Sequence, residues 1–364
     1  MAHEWRDGRG ARGERGQVVV VGRQAGRAYI GSFTAAGGPG VITASVAPES
    51  GALTVLGATD AVADPSYLAL SSDGETLYAV SETSDGGVAA FRTAGDRAEL
   101  TGPPVPVGSA PTHLALYDGH VLTANYRSGS VTAVQVRGDG TLVPTPSSEL
   151  RHTGSGPHPQ RQQSPHAHQV LADPSGRWAV SADLGTDSVR VCAFGESGLT
   201  LHREVALRPG SGPRHLVFHP RGDRAYILNE LSPTLTVCTW DAADGSLKPL
   251  GELPVLAEAP EGDTYPSEVV IAPDGRFLWA ATRGPDVISV IALDETGDVP
   301  SLKATVPCGG TWPRDLAIDP AGRHLYAANE RSGDVTWFAI DQETGIPSRT
   351  GSVAAPAASC VVFG

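Results

Sequence analysis

The sequence predicts an all-β protein, a seven-bladed β-propeller with four-stranded blades that is closed by joining its N- and C-terminal strands. Three observations lead to this prediction. A segment that opens a short apolar strand recurs six times, and a seventh copy is divided between the two chain ends. Gly (44) and Pro (29) are abundant among the 364 residues, whereas aromatic residues make up only 6%. This composition suits many short strands and turns, and it excludes a coiled coil or another long-helix fold.

The first strand of each unit begins at a proline, and most of these strands end at a turn rich in Asp, Pro and Gly. The prolines lie 46 to 54 residues apart, at Pro65, Pro111, Pro165, Pro213, Pro266 and Pro313. A period of about 40–50 residues with four short strands is typical of a propeller blade. A two-sheet sandwich would explain neither this period nor the divided seventh unit.

The second and third strands follow in each unit. Phe277 to Ala280, for example, forms a second apolar strand after the turn Pro273-Asp-Gly275. The third strands are predicted to begin at Val41, Val88, Val131, Val189, Leu235, Ile288 and Val335. Each is followed by a turn glycine, at Gly51, Gly95, Gly140, Gly198, Gly245, Gly297 and Gly345.

The two chain ends complete the seventh unit. Residues 356–363 match a first strand, and residues 27–32 match a second strand that has no first strand before it. The sequence therefore predicts a single propeller domain over residues 28–364, preceded by a disordered, charged tail at residues 1–27.

Charge and composition limit the classes of partner. The formal net charge of −13 argues against nucleic acid or an anionic membrane. No apolar stretch is long enough to span a membrane, and the N-terminus lacks the apolar region of a signal peptide, so we expect a cytoplasmic protein. The four cysteines are too scattered for a disulfide framework, and Cys192 and Cys238 are predicted to be core residues of third strands. The sequence does not predict an oligomeric state.

Polar residues cluster at one end of the predicted hairpins. Because the start of a first strand pairs with the end of the second, Arg214 is expected near Asn229 and Glu230, and His113 near Asn125. First strands line the axis of a propeller, so one end of the channel is predicted to carry a ring of polar side chains: His113, Asn125, His166, His168, Asp183, Arg214, His215, Glu230, Glu268, Arg283, Arg314 and Asn329. In this arrangement Glu268 is expected near Arg283, and Arg314 near Asn329.

The chemistry of this ring favours a small anionic substrate, because three arginines meet within an acidic protein. His166 and His168 alternate on one predicted strand, and with Asp183 and Glu230 they could bind a metal or act as acid and base. Neighbouring arginines would repel a cation, so we predict no metal and no cofactor.

A polar insertion, residues 151–164, is expected to lean over the pocket. No GxSxG nucleophile motif is present.

At these residues the sequence resembles the β-propeller lactonase family, which includes the propeller-type 6-phosphogluconolactonases and, more distantly, the carboxymuconate cyclases. The resemblance runs from about residue 28 to the end. Its motifs are Tyr29-Ile-Gly-Ser-Phe-Thr34, Ala124-Asn-Tyr126, Gly154-Ser-Gly-Pro, Arg161-Gln162, Pro165-His-Ala-His-Gln169, Asp183-Leu-Gly185, Gly212-Pro-Arg-His215, Phe218-His-Pro220, Asn229-Glu-Leu231, Pro273-Asp-Gly-Arg-Phe-Leu278, Arg283-Gly284 and Pro313-Arg314. One departure is Thr282, where the family often has Asn before the arginine.

The resemblance implies an active centre and a reaction. The implied catalytic residues are His166 or His168, together with Arg214, Glu230 and Arg283. The remaining ring residues are interpreted as substrate-binding, with Arg314 a candidate for a phosphate group. The implied reaction is hydrolysis of 6-phospho-D-glucono-1,5-lactone, with Glu230 or a neutral histidine as base. A histidine is the better base, because a glutamate beside arginine has a lowered pKa.

Three alternatives stay open from the sequence alone. The first is a cycloisomerase or lactonase acting on another carboxylated lactone, since carboxylate and phosphate need similar donors. The second is a non-enzymatic propeller that acts as a binding module. The third is a metal-dependent lactonase.

Overall fold

The computed structural model describes residues 26–259 and 261–364, which form seven antiparallel sheets, each a blade of the propeller. In blades 1 to 3 the strands are β1 (Gly26–Ser32), β2 (Val41–Val46), β3 (Leu53–Thr59), β4 (Leu68–Leu70), β5 (Thr76–Ser81), β6 (Gly87–Arg92), β7 (Glu99–Leu100), β8 (Val105–Pro106), β9 (Pro111–Tyr117), β10 (His120–Asn125), β11 (Ser130–Gln135) and β12 (Ser148–Arg151). In blades 4 to 7 they are β13 (Ala167–Ala172), β14 (Ala179–Asp183), β15 (Ser188–Gly195), β16 (Gly198–Ala206), β17 (Pro213–Phe218), β18 (Arg224–Asn229), β19 (Thr234–Asp241), β20 (Ser246–Pro254), β21 (Tyr265–Ile271), β22 (Phe277–Arg283), β23 (Val287–Ala292), β24 (Ser301–Pro307), β25 (Pro313–Ile318), β26 (His324–Asn329), β27 (Asp334–Ile340) and β28 (Pro347–Ala354). The last strand is β29 (Ala358–Phe363), and two short 3₁₀ helices span Thr34–Ala36 and Leu184–Thr186.

The predicted closure of the ring is confirmed. Strand β29 pairs antiparallel with β1, so blade 1 has the order β29-β1-β2-β3 and contains both ends of the described chain. The third strands begin within one residue of their predicted starts. In blade 2 the outer edge is divided, because β7 and β8 both pair with β6. The expected tail lies outside the described residues except for Gly26 and Arg27, which already belong to β1.

Neighbouring blades are joined by a repeated hydrogen bond. An aromatic side chain in the second strand of one blade donates to the carbonyl of the turn glycine in the next blade. Tyr226 bonds to Gly297 at 2.9 Å, Trp279 to Gly345 at 2.8 Å and Tyr326 to Gly51 at 2.7 Å. The repeated turn glycines and aromatic residues are therefore two halves of one contact between blades.

The core consists of apolar layers between adjacent blades. One such layer packs Val191 of blade 4 against Ile227 and Trp240 of blade 5, all buried. Cys192 and Cys238 are buried core residues as predicted, and none of the four cysteines forms a disulfide. No helix among the described residues is long and apolar enough to cross a membrane.

The innermost strands share a β-bulge near their first residues. In six blades one extra residue interrupts the pairing of the first and second strands: Thr112, His168, Arg214, Ser267, Arg314 and Ser359. A bulge bends its strand and redirects the side chains around it. The residues that follow the bulges are His113, Gln169, His215, Glu268, Asp315 and Cys360. The bulge residues and the residues that follow them supply most of the polar side chains along the channel.

One predicted strand start and one predicted contact are wrong. Strand β13 begins at Ala167, which pairs with Asp183, so Pro165 and His166 belong to the preceding loop and His168 occupies the bulge position of Arg214. In blade 6, Arg283 pairs with Tyr265 and lies farther from Glu268 than the hairpin arithmetic suggested.

The closure of the ring leaves no space for a side chain at Gly31. A Cβ atom there would lie 2.4 Å from the Pro65 carbonyl oxygen and 2.8 Å from the Cys360 Sγ atom. We expect Gly31→Ala to lower the free energy of unfolding by about 1–3 kcal/mol, the usual cost of overpacking. Gly102→Ala is the matched control, because a Cβ there meets nothing within 4 Å. Urea unfolding of both variants checks this, and equal stabilities would contradict it.

Candidate active site

A cavity of about 180 Å³ opens at one end of the central channel. It is lined by Glu82, Thr112, Tyr126, Arg161, His168, Glu230, Arg283 and Arg314. Four of these residues directly follow the second strand of a blade or end it, and three are bulge residues of first strands. Arg161 comes from the insertion. Five of the predicted site residues thus contact or surround one cavity: His168, Glu230, Arg283 and Arg314 line it, and Arg214 lies directly behind Glu230.

The Glu230 carboxylate is the electrostatic centre of the cavity. It is buried and contacts three guanidinium groups: Arg161 at 2.5 Å, Arg283 at 2.9 Å and Arg214 at 3.1 Å. Burial alone would raise the pKa of Glu230, but the three arginines lower it to about 2. Glu230 is therefore ionised at neutral pH and is a poor proton acceptor.

Two arginines retain donors that can serve a ligand. Arg283 donates from Nε to the Tyr265 carbonyl, and Arg161 donates to the Tyr126 hydroxyl oxygen. Within the described part of the chain, the Nη1 atoms of both arginines make no hydrogen bond. Arg214, in contrast, is directed to Glu230 and to the Ser267 carbonyl, so it holds Glu230 in place.

Arg314 lies between two further acidic residues. Its guanidinium is 3.2 Å from Glu330 and 3.5 Å from Glu82, and it stacks over the Phe33 ring at 4.8 Å. Burial lowers the pKa of Arg314, but Glu82, Glu330 and Glu230 together raise it above its ordinary value, so the group stays cationic. The pKa of Glu82 is raised by burial.

The structure separates the two histidines of the His166-Ala-His168 pair. His168 is buried and lines the cavity, whereas His166 stacks on the Tyr126 ring at 4.3 Å and places Nδ1 2.8 Å from the Tyr126 carbonyl oxygen. Burial lowers the pKa of His168 well below its ordinary value, and nearby Arg214 lowers it further. His168 is consequently a neutral imidazole at neutral pH.

The insertion contributes Arg161 to the cavity wall, and Asp183 helps to hold the insertion in place. The Asp183 carboxylate is 2.6 Å from Nδ1 of His152 and accepts backbone N–H bonds from His166, Gly185 and Thr186. Gln162 donates to the Leu184 carbonyl and to Asp187 at 2.8 and 2.7 Å. Asp183 is fully buried outside the cavity, so the structure gives it a supporting position rather than one facing a substrate.

Asn125 and Asn329 lie at the same strand-end position as Asp183, each in its own blade. Asn125 donates to Ser130 and Thr132 of the third strand, and Asn329 donates to Thr336. Both are fully buried and neither lines the cavity. Both were expected to contact the substrate, but their side chains instead form hydrogen bonds that link the second strand to the third.

His113, His215 and Glu268 form a lower layer, beneath the cavity rather than around it. All three are buried, and Nδ1 of His215 is 2.6 Å from the Glu268 carboxylate. They follow the bulge residues Thr112, Arg214 and Ser267, which explains why they lie one step deeper along the channel. A ligand in the cavity would not touch them directly.

Sequence reasoning missed Arg161, Glu82, Tyr126 and Glu330 as site residues. Glu82, Tyr126 and Glu330 stand directly after a second strand, the position already assigned to Glu230, so the repeat carried a usable signal. Arg161 gave no such signal, because its position depends on a loop. Among residues 26–259 and 261–364, no group of three or more His, Cys, Asp or Glu side chains has the geometry of a metal site.

Comparison with known proteins identifies close similarity in sequence and structure. The family model described as "Lactonase, 7-bladed beta-propeller" matches residues 27–363. The 6-phosphogluconolactonase of Bacillus subtilis (strain 168) is 33% identical over 275 residues, which cover 73% of this chain and 77% of the relative. The 6-phosphogluconolactonase of Formosa agariphila is 32% identical, with 72% and 77% covered. The solved structure of a periplasmic gluconolactonase from Pseudomonas aeruginosa matches with a TM-score of 0.87 at 28% identity, over 93% of this chain and 98% of that one.

The lowered pKa of Glu230 predicts a pH-dependent contribution to stability. A carboxylate with a depressed folded-state pKa stabilises the protein above its unfolded pKa, near 4.5, and this contribution is lost as the pH falls toward about 2. We expect Glu230→Gln to cost about 3 kcal/mol at pH 7. Urea unfolding of the native protein and the variant between pH 7 and pH 3 measures this. If the difference in unfolding free energy between the native protein and Glu230→Gln does not become smaller below pH 4.5, this prediction is contradicted.

Proposed function

The chain belongs to the seven-bladed β-propeller lactonase family, and we propose that it hydrolyses 6-phospho-D-glucono-1,5-lactone to 6-phosphogluconate. The proposal rests mainly on one observation: a neutral, buried histidine and several arginines share one cavity. His168 can accept a proton, and Arg161, Arg283 and Arg314 can hold an anion. The family match and the names of the similar lactonases support the reaction class.

The cavity residues account for each step of lactone opening. Nε2 of His168 takes a proton from a water molecule, whose oxygen forms a bond to the lactone carbonyl carbon. Arg283 stabilises the negative charge that develops on the carbonyl oxygen. When the tetrahedral intermediate collapses, the bond to the ring oxygen breaks and this oxygen receives the proton from His168. The carboxylic acid formed then releases one proton to solvent.

Glu230 has an electrostatic role in this mechanism. With a pKa of about 2 it is a weak base at neutral pH, which favours His168 for that task. Its negative charge allows Arg161, Arg214 and Arg283 to lie close together. The free Nη1 donors of Arg161 and Arg283 are then available to the substrate phosphate or to the oxyanion.

A second candidate is a lactonase for an unphosphorylated sugar lactone. Glu82, Glu230 and Glu330 offset much of the arginine charge around the cavity, and the structure with a TM-score of 0.87 is named a gluconolactonase. That relative is periplasmic, so the cytoplasmic location expected from the sequence remains a proposal, tied to the phosphorylated substrate.

Acid release from freshly prepared 6-phosphogluconolactone tests the proposed substrate, with gluconolactone in parallel and spontaneous opening subtracted. We expect acceleration of the phosphorylated lactone and little of the other. Acceleration of both would indicate a general lactonase. Acceleration of neither, with and without a divalent metal, would contradict the proposal and favour a carboxylated lactone or a binding role.

His168→Ala tests the assigned base. We expect kcat to fall by about 10²–10⁴, the usual contribution of an acid–base group. His202→Ala is the matched control, because His202 lies on an outer strand and stacks on Trp178. The native rate should stay constant from pH 8 to 6.5 and fall only below the ordinary histidine pKa, since the base loses activity when protonated. The assignment would be contradicted if the fall of the native rate had its midpoint at or above pH 6.5. A near-native rate in His168→Ala would also contradict it.

A further inference from the structure

The His215 ring lies beneath the cavity and packs against two further imidazole rings, that of His113 and that of the cavity residue His168. The ring centroids of His168 and His215 are 5.1 Å apart, and those of His113 and His215 are 5.3 Å apart. Each ring has one buried nitrogen without a hydrogen-bond partner among the described residues: Nδ1 of His168, Nδ1 of His113 and Nε2 of His215. An unpaired buried polar atom is costly, so three at one place require an explanation.

The protonated nitrogen of His215 follows from its neighbour. Its Nδ1 atom is 2.6 Å from the Glu268 carboxylate, which also accepts the Val269 backbone N–H at 2.9 Å. Glu268 in turn contacts Asp315, and burial raises the pKa of both carboxyl groups. We assign the proton of the 2.6 Å contact to Nδ1 of His215, so its Nε2 carries the lone pair.

The protonated nitrogen of His113 is assigned from its backbone contact. A backbone hydrogen bond at Val170 raises the pKa of His113, as donation to a carbonyl does, and the Nδ1 atom is buried without a partner among the described residues. We assign this bond to Nε2–H, which leaves the lone pair on Nδ1. The Tyr67 ring stacks on His113 at 4.1 Å and holds its orientation.

The charges around the three rings keep them neutral. Arg214, Arg283 and Arg314 lie on the cavity side, Glu230 lies among them, and Glu268 and Asp315 lie beneath. Burial and the neighbouring cations lower the pKa of all three histidines well below the ordinary value. Each ring consequently has one N–H and one lone pair.

The hydrogen-bonding capacities of the three nitrogens are complementary to one water molecule. His113 Nδ1 and His215 Nε2 are acceptors, and a water can donate one hydrogen to each. The same water can accept one bond, which Nδ1–H of His168 can donate. A buried water generally makes two to four such bonds to otherwise unpaired groups. With His113 Nδ1 and His215 Nε2 as acceptors, both hydrogens of the water are used, so His168 can join the same water only as a donor.

We propose that His113, His168 and His215 bind one buried water, and that this site fixes His168 with Nδ1 protonated and the Nε2 lone pair directed to the cavity. The inference deepens the proposed hydrolytic function and rests on it for its catalytic consequence. His113, His215 and Glu268 are positioning residues, because they act on the reaction only through the proton arrangement of His168.

The tautomers of the three histidines test the site without any assay of activity. Long-range ¹H–¹⁵N spectra of the native protein distinguish Nδ1–H from Nε2–H rings, and single His→Gln variants assign the signals. At pH 7 we expect Nδ1–H for His168 and His215 and Nε2–H for His113. An Nε2–H ring at His168 or His215, or a protonated imidazolium at any of the three, would overturn the proposal.

Glu268→Gln tests the consequence for catalysis. The introduced amide can donate to His215 Nδ1, so His215 becomes Nε2–H and the water loses an acceptor. We expect kcat to fall by about 10²-fold or more with KM nearly unchanged, because the base then favours the wrong tautomer. Asp319→Asn is the matched control: it removes the carboxylate of another buried pair, 3.0 Å from Nδ1 of His324, away from the channel.

The outcomes of these experiments distinguish a failure of the water site from a failure of the proposed reaction. Equal losses of kcat in Glu268→Gln and Asp319→Asn, or a native His215 tautomer in Glu268→Gln, would overturn the positioning role. If neither lactone is hydrolysed but the native tautomers are as stated, the proposed function fails and the water site stands. If Glu268→Gln does not fold, the spectra of the native protein decide alone.

Discussion

One extra residue in the inner strand of each of six blades determines where the polar side chains of the channel lie. The bulge residues His168 and Arg314 reach the cavity, and Arg214 supports it from behind. The residues that follow them, including His215 and Asp315, lie one step deeper. The same β-bulge, repeated around the axis, therefore places an upper layer of side chains where they can contact a substrate. It also places a lower layer that can only support the upper one.

The upper layer depends on a balance of buried charge. Four guanidinium groups lie in or behind the cavity wall, and they would repel one another without Glu82, Glu230 and Glu330. Glu230 alone meets three of them, which holds the arginines at fixed positions and commits the carboxylate to the ionised form. In the proposed mechanism the base is a group that stays uncharged beside cations, and the buried imidazole of His168 meets this condition.

The sequence predicted the fold well, because blades repeat and the repeat is carried by short local patterns. The predicted pairing of first and second strands likewise placed Arg214 near Glu230 and Arg314 near Asn329. It failed for Glu268 and Arg283, and it did not predict the side-chain directions of Asn125, Asp183 and Asn329, which turn back to their own blades. The repeat gave no position for Arg161, which entered only as part of a family motif, since its place depends on the tertiary contacts of Gln162 with Leu184 and Asp187. Periodicity fixes backbone position, whereas side-chain direction depends on bulges and loops that periodicity does not describe.

The central claim is that the cavity with His168 and the arginines is the place where a phosphorylated sugar lactone reacts. A crystal structure with bound 6-phosphogluconate tests it most directly. We expect the phosphate within hydrogen-bonding distance of Arg161, Arg283 or Arg314, and the carboxylate carbon near Nε2 of His168. A product molecule bound in another cavity, or in this one with its carboxylate far from His168, would contradict the account.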